Sequence, residues 1–417
     1  MNIYAIIILS ALLLEFVLSL IADILNLRNM KTELPKEFEG VYDEERYRKS
    51  QEYTKTYTRF GFVTDIFNLA LILGFWFSGG FNWLDQMVRG WGYSEIITGI
   101  LYIGILVMAR SIISLPFSIY ATFVIEERYG FNKTTPKTFV VDRLKGLGLG
   151  ILLGVPLLAL ILAVFHYLGD WAWLYGWIAV VVISFIMQYI TPTWIMPLFN
   201  KFEPLEEGEL RDRILNYADK VDYPLAGVFV MDGSKRSSKS NAFFTGFGKN
   251  KRIALFDTLL DQHSNDEMVS IVAHEIGHYK KKHILQNLLI GIVQTGVMFY
   301  LLSIFLNHQG LFDAFYMEQM SVYAGLLFFG MLYAPIDMLL SLGLNALMRK
   351  NEYEADRFAV VTRKDKSSMI DVLKKLSANN LTNLTPHPFY VFLGYSHPPV
   401  LQRIKAIRNI DLAAANG

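Results

Sequence analysis

The 417-residue chain contains no cysteine. Disulfides, thiolate nucleophiles and cysteine-ligated metals are therefore excluded. Any metal centre has to be assembled from His, Asp and Glu. Charge is scarce too: Asp, Glu, Lys and Arg make up 18% of the residues, against about 25% in an average soluble domain. Nor is there an excess of one sign, because 39 Lys and Arg meet 38 Asp and Glu and leave a net charge of +1. Bulk attraction to nucleic acid has no basis here, and no nucleic-acid partner is expected. Apolar residues are plentiful, at 53%, with a mean hydropathy of +0.31. These values exclude a disordered chain and argue against an ordinary soluble globule.

A membrane-spanning helix needs about 20 mostly apolar residues. Seven runs meet that length: 3–27, 60–86, 96–125, 144–167, 171–198, 284–307 and 321–348. The first could instead be a cleavable leader, but a span is expected, because its start carries no positive charge and the run is long and holds Glu15 and Asp23. Lys and Arg orient the chain. The loop 28–59 has eight and the loop 126–145 has five, whereas 87–94 has only Arg89 and neither 168–170 nor 308–320 has any. Basic loops stay on the cytoplasmic side, so the N-terminus is expected outside. The segments 199–283 and 349–417 then fall inside by parity, and the chain divides into 1–198, 199–283, 284–348 and 349–417. Glu15, Asp23, Asp65, Arg110 and Asp337 lie in or near the spans. Charges in lipid are expensive, so Arg110 and Asp337 are expected to face an interior polar space.

The segment 199–283 has its own order. Residues 205–221 read as a charged helix. AGVFVMD (226–232), NAFFTGFG (241–248) and KRIALFD (251–257) read as strands, the last two joined by a turn at Gly248, Lys249 and Asn250. Residues 264–283 read as a helix. Ser264 and Glu267 have capping-box spacing at its start, and Lys280, Lys281 and Lys282 load its end.

That helix carries His274-Glu275-Ile276-Gly277-His278, an HExxH motif. Residues four apart share a helix face, so both imidazoles reach one Zn²⁺, expected at one per chain. Glu275 sits beside them and can take a proton from a water on that ion. Catalytic zinc commonly has three protein ligands and an open position. The extended motif with a third His is excluded by Lys281 and Ile284. His283 points off the ligand face. Asp313 and Glu318 fall in an outside loop, and Asp337 falls within a span. The first acids to return to the inside are Glu352, Glu354 and Asp356. Glu352 and Asp356 share a helix face, so Glu352 is expected as the third ligand, with Asp356 behind a ligand histidine. Glu354 points the other way, toward solvent. His397 and Arg403 lie in SHPPVLQR and could both return to the metal. His397 has two readings, a donor to the oxyanion of amide hydrolysis or a surface cap. His387 is a weaker candidate, and His166, His263 and His308 are read as incidental.

Five segments carry a family likeness: 113–139, 240–260, HEIGH (274–278), RKNEYEADRFA (349–359) and GYSHPPVLQRI (394–404). With these the chain resembles the type I CAAX prenyl endopeptidases, integral-membrane HExxH zinc metalloproteases. The resemblance implies a mainly α fold: a seven-helix membrane barrel around a polar chamber, with a small cytoplasmic α+β zincin-like portion. It implies zinc on His274, His278 and Glu352, Glu275 as base and proton shuttle, and Asp356 as support. His397 would stabilise the tetrahedral intermediate, Arg403 would hold the site electrostatically, and Asn241 would bind substrate backbone at the sheet edge. The implied partners are a peptide or protein substrate, lipidated or not, and the bilayer itself. The short loop 308–320 and the Ala-Ala-Ala-Asn-Gly end lean toward a bacterial member, with the bacterial inner membrane as its site and a broader role in clipping membrane proteins. For a eukaryotic member the site would be the endoplasmic reticulum or inner nuclear membrane.

Two other classes compete. A scaffold with a structural zinc would close its site with four ligands, and a solute transporter would show repeated halves or paired broken helices, which are not evident. Helical facing makes a separable prediction. Purified Glu352→Ala should lose its zinc, while Glu354→Ala should keep it; metal analysis showing the reverse would overturn the assignment of faces.

Overall fold

The computed structural model describes residues 1–245 and 251–413. Among the described residues, seven helices are long and apolar enough to cross a membrane. They are α1 (Ile3–Asn29), α2 (Glu44–Phe77), α4 (Glu95–Glu126), α5 (Pro136–Tyr167), α6 (Gly169–Phe199), α9 (His283–Phe305) and α10 (Val322–Arg363). A short α3 (Gly80–Arg89) follows α2. Neighbouring spans pack in sequence order, and α10 returns to α1, which closes a ring. Leu152 and Leu339 on this ring are 67% and 66% exposed. Water would penalise such surface and lipid does not.

Two spans differ from the hydropathy reading. The run 60–86 is not one helix: α2 stops at Phe77, and Gly79, at φ 75°, turns the chain into α3. This left-handed backbone suits glycine, which has no Cβ to clash. At its other end α2 begins at Glu44. Its first turns mix charges with tyrosines, so hydropathy does not register them, yet Tyr47 is buried. The seventh helix also outruns its apolar stretch. At 42 residues and about 1.5 Å per residue it is roughly twice as long as a bilayer core of about 30 Å is thick. Its last turns therefore stand clear of the membrane and carry Glu352 and Asp356.

One end of the ring is sealed by α3 and the loop before α10. Trp76 stacks on Phe315, and Phe315 on Phe328, with ring centroids 4.7 and 3.9 Å apart. Trp76 Nε1 donates to the Ala314 carbonyl at 2.7 Å. Buried Asp85 accepts from Arg89 Nε at 2.8 Å and from the Tyr323 hydroxyl. Between spans, Arg110 donates to Asn68 at 2.8 Å and Gln294 to Asp337 at 3.2 Å. The two intramembrane charges singled out in the sequence thus each have a polar partner on an adjacent helix.

The opposite end carries β1 (Phe202–Pro204), α7 (Glu209–Lys220), β2 (Leu225–Met231), β3 (Ala242–Thr245) and β4 (Lys251–Phe256). The sheet order is β1-β2-β4-β3, with β2 and β4 parallel and the outer pairings antiparallel. The turn expected at Gly248, Lys249 and Asn250 lies outside the described residues. The sheet packs on α8 (Asn265–Lys280) through Ile253, Leu255, Met268 and Val272, all buried. The capping box is formed, with Ser264 and Glu267 exchanging 3.3 Å hydrogen bonds. Salt links fasten this portion to the spans. Arg236 grips Asp142 at 2.7 and 2.9 Å, and Lys239 reaches Glu126 at 3.1 Å.

α8 crosses α10 very closely. A Cβ at Gly277 would meet Ala355 Cα and O at 3.1 Å and Phe358 Cβ at 3.3 Å. Gly277→Val should wedge the helices apart at an overpacking cost of about 1–3 kcal/mol, and part of that should appear as weaker metal retention. Chelator competition on the folded, detergent-solubilised protein measures this; unchanged retention would show that the close approach is not needed.

Candidate metal centre and active site

α8 brings His274 and His278 to one face, and the exposed-from-membrane end of α10 lays Glu352 across them. His278 Nε2 is 3.3 Å from Glu352 Oε1, and His274 Nε2 is 3.5 Å from Glu352 Oε2. The two imidazole Nε2 atoms stand 3.2 Å apart. All three ligand atoms lie within 4.8 Å of one another. Lone pairs from two imidazoles and a carboxylate converge on one point, and buried Glu352 Oε2 is left with an ion pair to Arg403 at 3.2 Å but no hydrogen bond. Such an arrangement fits a divalent cation with nitrogen and oxygen ligands.

Behind the ligands lies a second layer of charge. Asp356 Oδ1 is 2.9 Å from His274 Nδ1. Arg403, on α13 (Val400–Arg408), holds Asp356 with both arms of its fork, at 2.8 and 2.6 Å. A third guanidinium nitrogen sits 3.2 Å from Glu352 Oε2. Burial works against charging His274, but Asp356 and Glu352 outweigh it and hold its imidazole up at about 9. Burial also pushes the Glu275 carboxyl up, against the pull of the two histidines. A raised carboxyl holds a proton more readily, as a proton shuttle requires.

His397 resolves between its two readings in favour of the site's neighbourhood. Its Nε2 is 3.3 Å from Glu352 Oε1, its Nδ1 meets Ser396 Oγ at 2.9 Å, and its side chain is 62% exposed. Burial nonetheless draws its basicity down, which favours the neutral ring. Asn241 has no hydrogen bond to His274, His278 or Glu352. Asn241 is exposed beside β3, the outer strand, and its Oδ1 accepts from Ala242 N at 2.9 Å. His387 is a helix cap, accepting from Phe389 N at 3.1 Å. His263 is buried against Glu267 at 2.9 Å, and His166 pairs with Glu95 at 3.2 Å.

Sequence reasoning passed over two contacts. Glu354 does not simply face solvent: its Oε2 is 3.2 Å from His283 Nε2, and His283 Nδ1 is 3.1 Å from His278 Nδ1. Asn380 clamps the chain ahead of β3, accepting from Ser240 N at 3.1 Å and donating to Ser240 O at 3.2 Å. Neither has a local sequence signal, since both depend on where separate helices cross. The Arg403 fork makes the next prediction. Arg403→Met leaves two buried carboxylates without their cation and should destabilise the metal-free protein by about 3–5 kcal/mol. Arg403→Lys, with a point charge in place of a fork, should not restore it. Thermal unfolding in detergent is the check, and a melting temperature unchanged in Arg403→Met would count against the arrangement.

Comparison with known proteins agrees along the whole chain. Residues 23–201 match the family described as CAAX prenyl protease N-terminal, five membrane helices, and residues 204–411 match Peptidase family M48. CAAX prenyl protease 1 homolog of Arabidopsis thaliana is 37% identical over 91% of each chain. CAAX prenyl protease 1 of Saccharomyces cerevisiae is 34% identical, over 90% of this chain and 89% of its own. The crystal structure of S. mikatae Ste24p superposes with a TM-score of 0.92 at 32% identity, covering 98% of this chain and 99% of that one. These relatives are eukaryotic, so the bacterial affiliation expected from the short loop and the terminal residues finds no support. With its five-helix N-terminal region and the peptidase portion that follows, this multi-pass membrane protein belongs to peptidase family M48.

Proposed function

We propose that the chain is a zinc metalloendopeptidase that cleaves membrane-associated or CAAX-type proteins, prenylated or not. The observation that carries this reading is the convergence of His274, His278 and Glu352 with Glu275 beside them. When bound, zinc supplies Lewis acidity that polarises a scissile carbonyl and acidifies water. Glu275 takes the proton of the attacking water and passes it to the leaving amine. His397, at the exposed rim, donates to the oxygen on which charge develops. Asp356 and Arg403 keep His274 and Glu352 aimed. Asn241 marks the free edge of β3, where an extended peptide can add as a further strand and Asn241 can bind its backbone. The names of the relatives supply the CAAX class of substrate. The loop charges support a cytoplasmic active site with the N-terminus outside. The eukaryotic relatives favour the endoplasmic reticulum or inner nuclear membrane as its compartment.

Glu275→Gln should keep one zinc per chain and lose cleavage by about 10²–10⁴-fold. A variant that cleaves at the wild-type rate would remove Glu275 from the mechanism. Mass-spectrometric mapping of cuts in a prenylated CAAX peptide and its unprenylated twin addresses the substrate. Equal cleavage of the two would remove prenyl recognition from the account.

A further inference from the structure

The two histidine ligands are supported differently. His274 Nδ1 faces a carboxylate directly, that of Asp356 at 2.9 Å. His278 Nδ1 instead faces another imidazole, His283 Nδ1, at 3.1 Å, and the far nitrogen of that ring meets Glu354 Oε2 at 3.2 Å. Metal-bound histidines ordinarily give their second N–H to a carboxylate or carbonyl, which sets tautomer and ring angle. We propose that His283 and Glu354 form a hydrogen-bonded relay that does this for His278, making both of them positioning residues of the zinc site. This inference rests on the peptidase reading above.

The proton directions admit one assignment. His278 Nε2 must keep its lone pair for the ion, so its proton is on Nδ1 and is donated to His283. His283 then accepts at Nδ1 and carries its own proton on Nε2, which it donates to Glu354. Every atom in the chain has a partner of the right kind. Lys350, at 3.6 Å from Glu354 Oε1, steadies the carboxylate at the outer end. The backbone makes the arrangement possible. α8 ends at Lys280, and Lys282 adopts a left-handed φ of 61° before α9 starts at His283. In a continuous helix, a residue five past His278 would point well away from it. The turn swings His283 back beneath His278, where it is buried at 3% exposure. Glu354 comes from α10, the same helix as Glu352, so one element presents a ligand on one face and the relay terminus on another.

The test uses the full-length protein in detergent, with zinc affinity read by chelator competition and ligand geometry by the visible bands of the Co²⁺-loaded form. His283→Leu should weaken zinc affinity by about 10–100-fold and shift the Co²⁺ bands. His283→Gln, whose carboxamide can accept and donate as the ring does, should recover most of that loss. Glu354→Ala, at a partly exposed site, should stay fully loaded at saturating zinc yet bind it several-fold less tightly. The double variant His283→Leu/Glu354→Ala should be no weaker than His283→Leu alone, because the two act in series. The relay is overturned by wild-type affinity in His283→Leu, by His283→Gln as weak as His283→Leu, or by additive losses in the double variant. A wild-type chain that takes up no zinc would sink the peptidase reading and the relay together; a zinc-loaded wild type with indifferent His283 variants would sink the relay alone.

Discussion

Two carboxylates one helical turn apart, Glu352 and Asp356, are both buried at the same spot. Left to themselves they would repel each other and resist ionisation. Arg403 removes that conflict by forking onto Asp356 and reaching Glu352 with its remaining nitrogen. The site depends on this one contact. It brings the end of α10 to α13, leaves Asp356 negative to hold His274, and leaves Glu352 negative to face the cation position. A fixed planar fork is what this geometry needs, and only arginine supplies it.

The membrane portion matters to the site through length and angle. α10 runs unbroken from the sealed end of the ring to Arg363, so Glu352 is held by the same rod that closes the barrel against α1. α8 is positioned by its capping box and by the sheet behind it. It can come near enough only because Gly277 offers no side chain at the crossing. Depth in the membrane and geometry at the metal are therefore coupled through a single helix pair.

The spans were legible because lipid imposes a crude requirement that hydropathy measures directly. Their ends were not, for the same reason: Tyr47 sits among charges, and α3 is apolar enough to pass for the tail of α2. The strands β2, β3 and β4 and the capping box were legible from local pattern, whereas the three-residue β1 was too short to show one. The grouping of His274, His278 and Glu352 was expected from helical spacing once the side assigned from loop charge had set aside the competing acids, and these three side chains do converge. His283 and Glu354 escaped, since spacing along one helix says nothing about a left-handed turn at Lys282 or about which helix lies opposite.

The sequence by itself determined the number of spans, the absence of sulfur ligands and the identity of the residue types able to bind metal. All of these follow from composition and period. Only the tertiary structure decided which groups share the buried charge: that Arg403 serves two carboxylates, that His397 reaches Glu352, and that His283 stands between His278 and Glu354. Those partnerships join side chains of separate helices, most of them dozens of positions apart in the chain, and their energies exist only when those helices have excluded water between them.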